Sequence, residues 1–467
     1  MSQATAQAPP LERTSVALPF AAIVLAMLPA VLDQTILATA LPVIARDLGS
    51  ITDLSWVVSA YVVAAAATTP LWGKLGDRYG RKRLLEVALS VFLAASALCG
   101  AAQDIPQLIA LRVVQGVAAG GLMTLAMASV GDLVSMRERG RYQGYIAMTF
   151  AVATIVGPLL GGLLVDHASW RWVFFVNLPV GVLALFGLAA RLPAPETERP
   201  DRPLDVSGAA LLAAATSAFM LACIWGGDRF AWGSVQELAL IAATVVLAGA
   251  LFVRERRAAD PIVPFGLLRT RAVAVASGAL FLGTAALFAV NVFVPLFLQI
   301  TTGASPTESG LLLVPAMLGI TVSTTLSGRA IARTGRYKRF PILGLGLMTA
   351  ALVLLAALAG DASRVATGVA LAVFGLGFGM VTQVLVVAVQ NSVDRRQLGV
   401  ATATTGFFRA LGGAVGAAAL GAVFAAQAGG GDVTAGAQTV FLVAAPLAAL
   451  ALLIVLALPE LPLQSQR

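Results

Sequence analysis

Three charged residues interrupt long apolar runs, and each could do chemistry there. Asp33 lies about twelve residues from one end of the run 16–44, well inside hydrocarbon if that run crosses a membrane. A carboxylate at that depth is costly, and intramembrane acids are functional candidates by default. Such an acid can take up a proton when dry and give it up when wetted. The alternative is a permanent partner that fixes helix packing. Arg112 is the basic residue of the run 106–130, with Gln115 on the same helical face three residues on. A guanidinium keeps its proton, so it can tune a nearby acid or hold a water. It is also near enough to the end of its run to snorkel. Arg409 lies about ten residues into the run 399–425, roughly 15 Å deep and too far for easy snorkelling. It could repel cations from a cavity, balance Asp33 or another acid, or be satisfied by backbone carbonyls.

The elements that position these residues follow from composition. Of 467 residues, 59% are hydrophobic and 12% charged, and the mean hydropathy is +0.89. A soluble chain carries about twice that share of charge. Apolar runs of about 18 residues or more recur, each long enough to cross roughly 30 Å of hydrocarbon. Fourteen such spanners are expected, as helices, because a helix satisfies its own backbone in lipid. Lys and Arg gather in alternate loops, which places both termini in the cytoplasm. The net charge of +8 arises in those loops and suits an anionic inner leaflet, with no need for nucleic acid. The first hydrophobic run reads as a retained spanner and not a signal peptide. Cys99, Cys223 and the single His167 argue against a disulfide scaffold, a protein-held metal and an enzyme's nucleophile cluster.

A repeat sets the organisation. The loop from Gly73 through Asp77, Arg78, Gly80 and Arg81 recurs at Gly328, with Arg333, Gly335 and Arg336 at the same spacing. Ala332 stands where Asp77 stands in the first copy. A basic loop repeated at a half-chain interval implies two similar halves. The expected layout is a cytoplasmic tail (1–15), an N-terminal six-helix bundle (16–191), linkers with inserted spanners 7 and 8 (192–271), a C-terminal six-helix bundle (272–458) and a tail (459–467). The inserted pair is expected at the bundle's edge, against lipid. Gly157, Pro158, Gly161 and Gly162 put small residues and a helix breaker in spanner 5, suiting a helix that rocks against its partner in the other half; Gly412, Gly413 and Gly416 give spanner 13 a similar face. Static packing is the alternative for both. The basic loops read as gates, with Asp77 accepting from Arg81 or from a helix N-terminus; positive-inside topology alone would explain the charge but not the glycine spacing.

These stretches resemble the major facilitator superfamily, and within it the fourteen-spanner drug:proton antiporters. The resemblance is carried by Leu-Asp-Gln-Thr from Leu32, the Gly73–Arg83 loop, Arg112-Val-Val-Gln-Gly, Gly157-Pro-Leu-Leu-Gly-Gly and Trp170-Arg-Trp…Asn-Leu-Pro. The C-terminal half matches more loosely, through the second loop and Phe408-Arg409-Ala-Leu-Gly-Gly. The resemblance implies an all-α membrane protein with the major facilitator fold: two six-helix bundles and two extra central transmembrane helices. It assigns Asp33 and Arg112 to proton coupling and Gly157, Pro158, Gly161 and Gly162 to an antiporter helix motif. Gly73, Asp77, Arg78, Gly80, Arg81, Asp132, Arg139, Arg333 and Arg336 would form a cytoplasmic gate, with Asp132 and Arg139 as an acid–Arg pair. Gln34, Gln115, Asn291, Gln299, Gln383 and Arg409 would line the substrate cavity.

One departure limits the analogy: spanner 10, from Leu311 to Gly328, has no acid, which argues against divalent cations as cargo. The expected function is export of hydrophobic, drug-like or secondary-metabolite compounds in exchange for protons, by alternating access in the cell membrane. No cofactor is expected beyond the proton gradient, and the partners are substrate, protons and lipid around a functional monomer. Rivals are export of an endogenous cargo such as a self-made antibiotic, a siderophore or a lipid, and a non-transporting membrane sensor.

Overall fold

The computed structural model describes residues 13–48, 54–134, 136–193, 204–227, 229–258, 260–262, 265–295, 312–359, 363–394, 397–428 and 433–462. Gln299 and most of the linker before spanner 7 lie outside these residues. The described secondary structure is helical, without a strand. The N-terminal half comprises α1 (Arg13–Leu48), α2 (Leu54–Tyr79), α3 (Arg81–Gly100), α4 (Ile105–Leu133), α5 (Met136–His167), the short α6 (Trp172–Phe175) and α7 (Asn177–Arg191). A hairpin follows, α8 (Val206–Trp225) and α9 (Val235–Arg257), then a short α10 (Phe265–Arg269). The C-terminal half comprises α11 (Arg271–Phe288), running into a π turn at Ala289–Phe293, then α12 (Val314–Thr334), α13 (Arg339–Leu358), α14 (Arg364–Asn391), α15 (Leu398–Ala428) and α16 (Val433–Leu456). Thirteen segments are long and apolar enough to cross a membrane, with α6 and α7 forming one of them. The fourteenth long helix is α12, less apolar because of its Thr-Val-Ser-Thr-Thr-Leu-Ser run.

The halves repeat one packing scheme. In the first, α1 packs on α5, α2 on α4 and α3 on α4; in the second, α11 packs on α15, α12 on α14 and α13 on α14. The repeated loops show why glycine recurs. Gly80 and Gly335 turn the chain between spanners with φ of 92° and 70°, a region L side chains avoid. Each half also encloses its own apolar interior. The C-terminal core, around Leu345, Phe374 and Phe441, draws no residue from the first half. Phe92, Leu89 and Leu122 anchor one N-terminal core, and Ile36, Ile44 and Phe174 a second.

Between the halves, α5 meets α12 and α2 meets α15, near the end that carries the basic loops. Both contacts approach backbone to backbone. A Cβ built on Gly328 would overlap the Gly140 carbonyl, and one on Gly73 would crowd Ala403 and the Gly399 carbonyl. Small residues permit this closeness.

The inserted hairpin is less peripheral than the sequence suggests. Along α9, Leu238, Val245 and Val246 are exposed, as expected of a lipid-facing helix. By contrast α8 packs on both α2 and α15. Met220 shares an apolar cluster with Val63, Ala66 and Ala414, and Trp225 sits edge-on to Trp56 at 4.6 Å. Thus α8 lies across the seam between the halves. At the basic end Asp205 caps α8, accepting from the Gly208 N–H at 2.9 Å, and takes Arg254 of α9 at 2.9 Å. Burial alone would raise the Asp205 pKa, but the bonds from Arg254, Gly208 and Ser207 outweigh it and hold the carboxyl below its ordinary value. Nearby, Asp260 in the following linker takes Lys74 and Arg78 of α2.

Two consequences are measurable. Val246→Trp should leave stability and transport near wild type, whereas Met220→Ala should cost about 2–5 kcal/mol of stability. Asp205→Ala should cost about 0.5–2 kcal/mol as a lost cap. Because the folded pKa of Asp205 is depressed, its contribution is present above the unfolded carboxylate value and is lost as pH falls through the folded one. Thermal unfolding of wild type and Asp205→Ala at neutral and acid pH should therefore converge only at acid pH.

Candidate functional site

Asp33 and Arg112 meet. The Arg112 guanidinium donates to the Asp33 carboxylate, and Gln115 closes the set. Gln115 Nε2 donates to Asp33 Oδ1 at 3.0 Å, and Arg112 donates to Gln115 Oε1 at 2.7 Å. Arg112 Nε donates to the Val57 carbonyl at 2.9 Å, and the guanidinium lies 4.2 Å from the Tyr61 ring centroid. The site is dry: Asp33 is 2% exposed, Arg112 1% and Gln115 0%.

Each element brings its group for a local reason. In α4 the spacing of Arg112 and Gln115 puts both on the face toward α1. Gly116, the next residue, lets α2 approach: a Cβ there would overlap the Tyr61 carbonyl. That closeness delivers the Val57 carbonyl and the Tyr61 ring to the guanidinium. Tyr61 in turn donates to the Ala30 carbonyl of α1 at 3.3 Å, so one ring bridges three helices. Buried charges persist when paired and hydrogen-bonded, and here Nε and one terminal nitrogen of Arg112 find the Val57 carbonyl, Asp33 and Gln115. Of this set the sequence names Asp33, Arg112 and Gln115. It misses Tyr61, the Val57 carbonyl and Cys99, whose Sγ lies 3.7 Å from Gln115 Oε1. The available signal was Gly116, a small residue one step past Gln115.

Of the other cavity candidates, Gln34 reaches this set, sharing a hydrogen bond with the Tyr61 hydroxyl while exposed on α1. Asn291 is exposed on the π turn of α11. Gln383 on α14 lies near the Gly140–Gly328 contact, its buried Oε1 without a hydrogen bond. Arg409 is half-buried in α15.

The spanner 5 glycines face a different partner from the one expected. A Cβ on Gly157 would overlap the Thr35 hydroxyl, and one on Gly161 would overlap Thr39. Both are therefore packed on α1 of their own half. Gly412 and Gly416 lie as far beyond them as Gly328 lies beyond Gly73, and they pack on Phe281 and Ala285 of α11 in the same way. Gly162 has open space around it and Pro158 is exposed. The close helix contact across the seam is made instead by Gly140 and Gly144 against Gly328 and Thr325.

At the basic end, Asp77 bridges the halves. It takes Arg81 at 2.6 Å, four residues on, and accepts from the Gly399 and Val400 N–H groups at 3.0 and 2.9 Å. These are free amides of the first turn of α15, where helix N–H groups lack intrahelical partners. Arg81 also pairs with Asp132. Arg139 of α5 turns to the Gly131 carbonyl and donates to Gln390 of α14 at 3.3 Å, with Gln390 donating to Thr402 at 3.1 Å. Asp132 and Arg139 thus serve different contacts, not the single acid–Arg pair expected. The second loop is no gate among the described residues. Arg333 and Arg336 are exposed without an acid, because Ala332 supplies no carboxylate. Tyr337 there instead donates to the Pro459 carbonyl and accepts from Leu461 N–H, both at 2.9 Å, tying the loop to the C-terminal segment.

Two six-helix units related by a repeat, meeting in close helix contacts near the basic loops, are matched by one family. Residues 23–417 match the Major Facilitator Superfamily. The chain belongs to that superfamily. An MFS-type transporter of Mycobacterium tuberculosis (strain ATCC 25618 / H37Rv) is 38% identical over 87% of this chain, and the chain spans 59% of that relative's length. The multidrug transporter protein MdtP of Bacillus subtilis (strain 168) is 34% identical over 87% of this chain and 75% of its own. The fold is shared with the human organic anion transporter MFSD10 at a TM-score of 0.70 and 19% identity, over 96% of this chain and 100% of that one. Superfamily membership gives the two bundles and the fourteen long helices their context.

Two outcomes test the site. Asp33→Asn should cost about 3–5 kcal/mol, because it strands the Arg112 charge, and Asp33→Asn with Arg112→Gln should recover most of that loss. Unfolding followed by tryptophan fluorescence in detergent reports this; equal losses would exclude a coupled pair. Gly157→Ala should reduce folded yield strongly, whereas Gly162→Ala should be silent, and size-exclusion profiles of the two separate these cases.

Proposed function

We propose that this protein is a proton-coupled antiporter that exports hydrophobic small molecules from the cell by alternating access. The observation that carries the reading is the dry Asp33–Arg112–Gln115 set, enclosed by three spanning helices. Protonation of Asp33 would remove the charge that opposes Arg112 and loosen the ties among α1, α2 and α4. A proton would thus be converted into a change of helix packing. Separate cores in the two halves and a glycine-lined seam suit rigid rocking of one half on the other. The Bacillus relative, named a multidrug transporter, supports drug-like cargo.

The basic end would face the cytoplasm, by the Lys and Arg bias, in the cell membrane. The contacts described at that end, Asp77 on α15 and Arg139 on Gln390, then form a closed inner gate. Asp77 would act as a releasable cap: opening inward requires the α15 amides to find water in its place. No cofactor enters this scheme, and one chain carries the inner gate and the coupling pair.

The experiment is a growth-inhibition panel of varied toxic compounds with and without overexpression, followed by proton release from energised vesicles on adding a compound that scores. Wild type should release protons and Asp33→Asn should not, with release falling at least about tenfold. Release undiminished in that variant would exclude Asp33 as the coupling acid. Asp77→Asn should weaken the inner gate by about 1–3 kcal/mol. A cysteine at Ser129, buried near the basic end of α4, should then react faster with an impermeant maleimide from the inside in the Asp77→Asn background. Unchanged labelling would count against the gate.

A further inference from the structure

Arg409 is a deep charge left without a carboxylate. It stands eleven residues from the start of α15, about 16 Å along a helix at 1.5 Å per residue, and within the spanning segment Leu398–Gln427. The acids near it in kind are committed elsewhere. Asp33 holds Arg112 and Gln115, Asp77 holds Arg81 and the α15 amides, and Asp132 holds Arg81. Among the described residues no acid interacts with Arg409. An arginine does not shed its proton, so the charge must be met by something. Unlike Arg112, sealed at 1% exposure, Arg409 keeps part of its surface open.

The flanking turns of α15 meet threonines of two other helices, while Ala410 and Leu411 pack on an apolar cluster. A Cβ on Gly413, one turn on, would touch the Thr284 methyl of α11, and the buried Thr284 hydroxyl has no hydrogen-bond partner. The same helix flank meets Thr69 of α2 at Gly406. Arg409 and Gly413 are four residues apart on one face of α15, so this partnerless hydroxyl of α11 is the polar group available to complete an anion site with the guanidinium. A guanidinium holds a carboxylate bidentately, with charge-assisted bonds. It would repel an ammonium.

We propose that Arg409, with the Thr284 hydroxyl, binds the negatively charged group of the transported compound, so that the preferred cargo is an amphiphilic organic acid and not a lipophilic cation. This rests on the export reading and names its substrate class. The acid site belongs to the C-terminal half and the Asp33–Arg112 set to the N-terminal half. A carboxylate on Arg409 therefore does not displace the proton from Asp33, and coupling would run through the seam.

The test uses two probes on one ring system, 9-anthracenecarboxylate and 9-anthracenemethylammonium, in equilibrium dialysis against the full chain in nanodiscs. Wild type should bind the carboxylate at least about tenfold more tightly than the ammonium. Arg409→Gln should abolish that preference, and Thr284→Val should weaken carboxylate binding alone. Arg409→Lys, which keeps the charge but not the fork, should retain the preference at lower affinity, and it serves as the decisive variant if Arg409→Gln fails to fold by its melting profile. A wild type that binds no carboxylate or prefers the ammonium, or an Arg409→Gln variant that folds and keeps the preference, overturns the proposal. Binding requires no proton flux. A chain that selects the carboxylate through Arg409 yet releases no protons would overturn the exchange reading and leave this one standing.

Discussion

Removing a carboxylate and a guanidinium from water is tolerable only when each satisfies the other and the remaining donors find acceptors. In this protein that condition reaches well beyond the pair. The second nitrogen of Arg112 needs the Val57 carbonyl, its face needs Tyr61, and the second Asp33 oxygen needs Gln115. To supply them, α1, α2 and α4 must lie close, which Gly116 allows. The geometry of the first bundle is in this sense written around one ion pair. Removing one of its charges penalises the packing of three helices at once.

The seam between the bundles is built on the opposite principle. Each half completes an apolar core of its own, and the apolar cluster that crosses the seam, Val63 and Ala66 with Ala414, runs through Met220 of α8. Beyond that cluster, directional contacts join the halves: backbone contact at Gly140 and Gly328, the Asp77 carboxylate on the α15 amides, and Arg139 on Gln390. Hydrogen bonds of this kind exchange with water at small net cost, whereas opening an apolar core costs about 25 cal/mol for each Å² exposed. Closed apolar cores dominate inside each half, and exchangeable contacts concentrate between them.

Much of this was legible in the sequence. The spanners, the two halves and the importance of Asp33 and Arg112 follow from hydropathy, loop spacing and the cost of burying charge. What stayed hidden was partnership. Nothing in the local sequence says that Gly157 and Gly161 face Thr35 and Thr39 of α1 and not the opposite half, because a small residue signals a close contact without naming its partner. The separate fates of Asp132 and Arg139 were hidden for the same reason: seven residues apart, they look like a pair, yet their partners come from α3 and α14. Tyr61 was invisible because one aromatic in an apolar run reads as packing. The seating of α8 on the seam depends on α15, far along the chain, and no periodicity in α8 reports it.

The separation in sequence between Asp77 and its helix cap has a consequence for how the chain is made. The amides of Gly399 and Val400 lie 322 and 323 residues downstream. During synthesis the first bundle, with its own core and its buried ion pair, can be complete while α15 is still untranslated. Throughout that interval Asp77 is held by Arg81, one helical turn away, and needs no distant partner. The Asp77 cap on α15 can therefore form only after the first bundle has emerged, once the chain has reached Val400.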